Sequence, residues 1–213
     1  RRRSFLPLTA LSASRVFGAN ERIRLALIGC GGRGRYVAGF IAKQPGAEYT
    51  AFADAYLPNA DRAKAALAPA AQVHQDFRRV LEKKEIDAVH VATPDHWHAI
   101  PTILACQAGK DVYVEKPLAH NIREGQAMLR AARRYKRMVH VGTQHRSAEH
   151  FREVQYLLQS GELGEIRYVR VWNYTNYSLQ STRPVSDSEV PDGLDWDLYL
   201  GPAPKVPFNN TAF

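Results

Sequence analysis

The residues best suited to chemistry fall into four short stretches. The first is Gly29-Cys30-Gly31-Gly32-Arg33-Gly34, a GxGxxG run that follows the apolar stretch Arg24 to Ile28 and opens an expected helix, with Asp54 placed 20 residues beyond Gly34. A glycine turn alone is weak evidence. Strand, turn, helix and a later carboxylate at this spacing form the signature of a dinucleotide site. Gly29 allows the tight turn, Gly31 lets backbone approach a pyrophosphate, and Gly34 permits close helix packing, while the free N–H groups of the helix start attract phosphate. Asp54 is expected to accept hydrogen bonds from the adenosine ribose. Its charge repels a 2'-phosphate, so NAD is favoured; Arg33 and Arg35 keep NADP open as the alternative. The expected cofactor contacts in this stretch are Gly29, Gly31, Gly32, Arg33, Gly34 and Asp54.

The other three stretches follow later strands. Thr93-Pro94-Asp95-His96-Trp97-His98 comes after the fourth, Glu115-Lys116-Pro117 after the fifth and Gln144-His145-Arg146 after the sixth. All therefore belong to the carboxyl edge of a parallel sheet, where open α/β folds bind ligands. Thr93, Pro94, His98 and Glu115 are expected beside the nicotinamide end, although His96 or His98 taken singly reads as readily as a packed structural residue.

The elements that must position these groups are legible as alternating apolar runs and helical patterns, the mark of strand-helix units around a parallel sheet. Strands are expected at 24–28, 49–53, 73–74, 87–92, 111–114 and 138–141. Helices are expected at 33–44, 59–67, 77–84, 93–108 and 123–136. This is a six-strand doubly wound domain of Rossmann type, in the α/β class. A helix over 150–159 and a strand over 164–172 with period-two alternation then suggest the start of an antiparallel-sheet α+β domain. The tail after Gln180, rich in Pro, Ser, Asp and Gly, offers no further regular element.

The same motifs, Asn20 through Gly34, Ala92 through His98, Gly109 through Ala119, Gly142 through Arg146 and Asp195 through Pro202, together resemble the glucose-fructose oxidoreductase, inositol dehydrogenase and MocA-like family. The resemblance implies an oxidoreductase acting on sugars, polyols or their derivatives, with the Lys of the EKP motif, here Lys116, near the reacting hydroxyl. A lysine desolvated beside a nicotinamide lowers its own pKa and can shuttle the hydroxyl proton; Glu115 is expected to hold it. Gln144, His145 and Arg146 are expected to bind substrate hydroxyls alongside Lys116. Family members continue into an open antiparallel sheet that supplies a substrate wall, a later Asp-x-x-x-His motif and a homo-oligomer interface, and this chain stops before such a motif. The expected division is 1–19, 20–146 for the dinucleotide-binding domain, and 147–213 for a shortened second domain. A glycosidase of the same fold, oxidising a sugar transiently and eliminating its substituent, is the rival enzyme. A non-catalytic dinucleotide- or sugar-binding protein is the rival from another class.

Composition narrows the partners. Of 213 residues, 45% are hydrophobic and 23% charged, as in ordinary globular proteins. The net charge of +8 rests on 29 basic against 21 acidic residues, and Arg1, Arg2, Arg3 and Arg15 lie in the first 19. Nothing in the remainder resembles the basic, aromatic-interleaved footprint of nucleic-acid binding. Arg1-Arg2-Arg3-Ser4-Phe5-Leu6 resembles a twin-arginine export signal, so a periplasmic or otherwise exported location is expected. No stretch is apolar enough to span a bilayer. Cys30 and Cys106 are the only cysteines, too few for a disulfide framework and without zinc-ligand spacing, so both are expected as packed thiols and no metal is expected.

Overall fold

The computed structural model describes residues 22–144, 146–172 and 186–210. The export-type segment 1–19 and His145 lie outside these residues.

Six strands, β1 (Ile23–Ile28), β2 (Ala47–Ala53), β3 (Gln72–His74), β4 (Ala88–Val91), β5 (Asp111–Glu115) and β6 (Val139–Gly142), form one sheet in the order β3-β2-β1-β4-β5-β6. Every pairing is parallel. The order reverses direction at β1 and β4, which opens a crevice at their carboxyl ends. Central strands of such a sheet are covered on both faces and must be apolar on both. Ala26, Ile28, Val89, Val91, Val112 and Val114 accordingly form one core with Cys106 and Met128. Leu27 and Phe52 form the other, with Ala38, Ala60 and Ala63.

The helices are α1 (Gly32–Ile41), α2 (Leu57–Leu67), α3 (Arg78–Leu81), α4 (Ala99–Gln107), α5 (Ile122–Tyr135), α6 (Glu149–Ser160) and α7 (Trp196–Leu200), with a 3-10 turn over Asp95–Trp97. Small residues on the buried faces of α1 and α2 let these helices lie close to the sheet. α5 begins at Asn121, whose side chain accepts from the Glu124 N–H at 3.0 Å, a helix start of the expected kind. In β2 an extra residue, Thr50, interrupts the register between Leu25 and Ala26. This bulge sets Tyr49 on the same face as Phe52, where its hydroxyl lies 3.2 Å from His90 Nδ1.

Four elements differ from expectation. The helix expected over 77–84 is a single turn, Arg78–Leu81, and beyond it the carbonyl oxygens of Lys83 and Ile86 accept from the buried Lys110 ammonium at 2.5 and 2.9 Å. The helix expected from Thr93 is divided: Asp95–Trp97 winds as 3-10, and Pro101 falls in the first turn of α4, where its missing N–H costs nothing. The strand expected over 164–172 is not formed, since no described strand pairs with it and its residues are exposed. The tail, expected to be irregular, contains α7, which is capped by the Asp195 side chain accepting from Leu198 N–H at 2.8 Å. Both thiols are free and buried. No helix among the described residues is long and apolar enough to cross a membrane, and no cluster of three or more potential metal ligands occurs among them.

Candidate functional site

A cavity of about 380 Å³ opens at the carboxyl edge between β2, β1 and β4. Its floor is the glycine turn. Gly29 has φ +88, and a Cβ there would lie 2.5 Å from the Ala92 carbonyl carbon. A Cβ on Gly34 would run into the carbonyl oxygen of Gly29. Both positions therefore need glycine for the fold itself. Gly31 and Gly32 are different: a Cβ on either meets nothing within 4 Å, and both line the cavity. Their bare backbone leaves the space above the start of α1 open to a ligand, and α1 carries no acidic residue in its first turn to compete for its N–H groups.

Asp54 directly follows β2 and lies on the cavity wall. Its carboxylate accepts from Cys30 N–H at 2.6 Å and Tyr56 N–H at 2.9 Å. Burial raises its pKa, while the two N–H groups, the Asn59 side chain and the charge of Arg35 pull the other way. The arginines expected near a phosphate are both engaged. Arg35 donates to the Cys30 carbonyl at 2.6 Å. Arg33 Nε meets Glu115 Oε2 at 3.0 Å, and the Glu115 side chain is only 4% exposed. Glu115 thus ties β5 to the glycine turn, instead of holding Lys116 as expected.

Thr93 and Pro94 line the cavity after β4. Among the described residues, Thr93 Oγ1 is a buried hydroxyl oxygen without a hydrogen-bond partner. His98 does not line the cavity: it is 1% exposed, with Nδ1 2.5 Å from the Pro117 carbonyl oxygen and Nε2 2.9 Å from that of Thr93. In place of the expected cofactor contact, it joins the loop after β4 to the loop after β5. His96 Nε2 lies 3.1 Å from the Tyr199 carbonyl oxygen.

Lys116 follows β5 on the same edge and is exposed, so the desolvation expected of it is not supplied by the described residues. Gln144 and Arg146 lie after β6 and are exposed as well. Sequence reasoning missed Gln75, Phe77, Trp97, Leu198 and Tyr199, which also line the cavity. The last two fall in the family-like motif Asp195 through Pro202, but that motif by itself says nothing of where α7 docks.

The family model described as an oxidoreductase family with NAD-binding Rossmann fold matches residues 23–143. Among relatives, an inositol 2-dehydrogenase of Rhodococcus erythropolis is 33% identical over 147 residues, 68% of this chain and 42% of that protein. A glycosyl hydrolase family 109 protein of Saccharopolyspora erythraea is 31% identical over 117 residues, 51% of this chain and 26% of that protein. The crystal structure of myo-inositol dehydrogenase from Lactobacillus casei, in complex with NAD(H) and myo-inositol, superposes with a TM-score of 0.63 at 25% identity, covering 67% of this chain and 43% of that one. The chain spans less than half the length of the curated relatives it matches.

Proposed function

Because the chain belongs to the Gfo/Idh/MocA oxidoreductase family, with its NAD-binding Rossmann fold, we propose that it carries the cofactor domain of an enzyme that transfers hydride between NAD and a sugar, polyol or related hydroxyl compound. The observation that carries the reading is the open glycine cradle at Gly31 and Gly32 sharing one cavity with half-buried Asp54. The residues fit a dinucleotide: bare backbone and the start of α1 for the pyrophosphate, Asp54 for ribose hydroxyls, and the unpartnered Thr93 hydroxyl on the β4 side. The Asp54 carboxylate at the ribose end and the tie of Arg35 to the Cys30 carbonyl support NAD over NADP, while Arg33, paired with Glu115, also lines the cavity.

When bound, the nicotinamide supplies the hydride acceptor or donor. Lys116 Nζ takes or returns the proton at the reacting hydroxyl oxygen, and Gln144, His145 and Arg146 orient the neighbouring hydroxyls. His98 and the Arg33–Glu115 pair position the Lys116 loop without touching the reacting atoms. Residues from 147 onward, apart from 193–201, which pack on the cofactor domain, begin a second domain that serves substrate binding and homo-oligomer assembly. Residues 1–19 direct export to the periplasm, and replacing Arg2 and Arg3 with Lys is expected to leave the protein in the cytoplasmic fraction.

The test is titration with NAD, then assay with a panel of sugars and polyols by absorbance of the reduced cofactor. Lys116→Ala is expected to retain NAD affinity and lower turnover by about 10²- to 10⁴-fold; unchanged turnover would remove Lys116 from the mechanism. The similarity to a family 109 glycosyl hydrolase favours a second reading, glycoside cleavage through transient oxidation. Release of the glycosidic substituent without net reduced cofactor distinguishes it.

A further inference from the structure

The segment 193–201 is tied across the mouth of the cavity from the β3 side to the β4 side. Leu57 N–H donates to the Gly193 carbonyl at 2.9 Å, and Asp195 N–H donates to that of Ala55 at 2.9 Å. The Gln75 amide donates to both Ala55 and Gly193 carbonyl oxygens at 3.0 and 3.1 Å. On the other side Trp97 Nε1 donates to the Tyr199 carbonyl at 2.9 Å. Gly201, at φ +50, packs so closely on Trp97 that a Cβ would run into the indole ring. Leu194 and Leu200 are buried beneath these ties. The segment thus meets the loops after β2, β3 and β4, and its Leu198 and Tyr199 side chains form cavity wall together with Asp54.

We propose that residues 193–201 complete the adenosine end of the cofactor site, with Tyr199 a cofactor-contacting residue that acts with Asp54 to select an unphosphorylated ribose. The proposal rests on reading the cavity as a dinucleotide site. Asp54 marks the adenosine-ribose end of such a site, and Tyr199 is on the wall beside it: burial first, then the negative charge of Asp54, push the Tyr199 phenol up. An adenine ring is flat and weakly polar, and Leu198 and the Tyr199 ring offer it an apolar and aromatic surface where the glycine turn offers none. A ribose 2'-phosphate entering here meets the Asp54 carboxylate and a wall held by the four hydrogen bonds that tie the segment to Leu57, Ala55, Gln75 and Trp97. The wall comes from chain more than 100 residues beyond the glycine turn, outside the stretch 23–143 that matches the family.

The experiment titrates the chain and its variants with NAD, NADP, ADP-ribose and nicotinamide mononucleotide, with circular dichroism as the check on fold. Tyr199→Ala is expected to weaken NAD and ADP-ribose by about tenfold and leave the mononucleotide unchanged. Tyr199→Phe, which keeps the ring, is expected to retain NAD affinity within about twofold and to lower the NAD over NADP preference by about threefold or more. Gly201→Val, which forces the segment off Trp97, is expected to reproduce the Tyr199→Ala loss on an intact sheet. The proposal is overturned if the parent chain binds NAD and Tyr199→Ala and Gly201→Val bind it equally well, or if Tyr199→Phe leaves the preference untouched. A parent chain that binds none of the four nucleotides overturns the dinucleotide reading itself, a separate failure that the variants are not needed to detect.

Discussion

The two halves of the carboxyl edge are built differently. On the β1–β3 side the glycine turn, Asp54 and the docked segment 193–201 enclose a cavity whose groups are fixed by short hydrogen bonds. On the β5–β6 side Lys116, Gln144 and Arg146 are exposed, and order comes from beneath, through His98 and the Arg33–Glu115 pair. The enclosed half can bind with groups already in place. The open half presents reactive side chains whose environment depends on whatever closes over them. On the proposed reading, binding uses the preorganised backbone of the first half, whereas proton transfer by Lys116 uses a lysine free to meet a substrate.

The largest expected effect that tests this contrast is Gly34→Ala. The added methyl runs into the Gly29 carbonyl, so a loss on the order of 3 kcal/mol in urea unfolding is expected, with NAD binding abolished. Next is His98→Ala on the open side. Loss of both carbonyl contacts is expected to cost about 2 to 3 kcal/mol and to speed amide exchange at Lys116 and Leu118, with NAD affinity changed by less than about threefold. A comparable loss of NAD affinity in both variants would break the division into two halves.

A pH change probes the support under the open side. His90 is buried against Tyr49 and Tyr113, and burial, then the charge of Arg33, lowers its pKa to about 4. The unfolded chain takes up this proton near pH 6.5, so the contribution is complete above that value and is lost as the pH falls toward 4. Unfolding at pH 5 should show about 2 kcal/mol less stability from this residue than at pH 7.5, and His90→Leu should flatten that slope. A slope unchanged in His90→Leu would assign the acid sensitivity elsewhere. The smallest change in stability is expected for Gly31→Ala, whose Cβ meets open space. Stability should move by less than about 0.5 kcal/mol while NAD affinity falls by about tenfold or more, separating a glycine kept for ligand from one kept for packing.

Much of this was legible in the residues. The six apolar runs became six strands because a parallel sheet covered on both faces demands continuous apolar sequence. The glycine turn and Asp54 meet at one cavity because one strand-helix-strand unit fixes the distance between them. The expectations that failed depended on partners that local pattern does not name. The alternation at 164–172 resembles a strand, but among the described residues no strand pairs with it, so its backbone has no ladder to join. Glu115 and Lys116 are adjacent in the chain, yet successive residues at a strand end point to opposite sides, and Glu115 meets Arg33. The two ring nitrogens of His98 find carbonyls from two loops, a match visible only once β4 and β5 lie side by side.

The sequence by itself therefore determined the sheet, its glycine cradle and the placing of Lys116 on the ligand edge, since each depends on patterns within one or two consecutive elements. Only the tertiary structure decided that Arg33 is held by Glu115, that His98 supports rather than lines the site, and that Leu198 and Tyr199 complete the cavity. Those contacts join residues 19 to more than 100 positions apart, except for the His98 contact with Thr93, and their geometry follows from how the strands stack rather than from any local propensity.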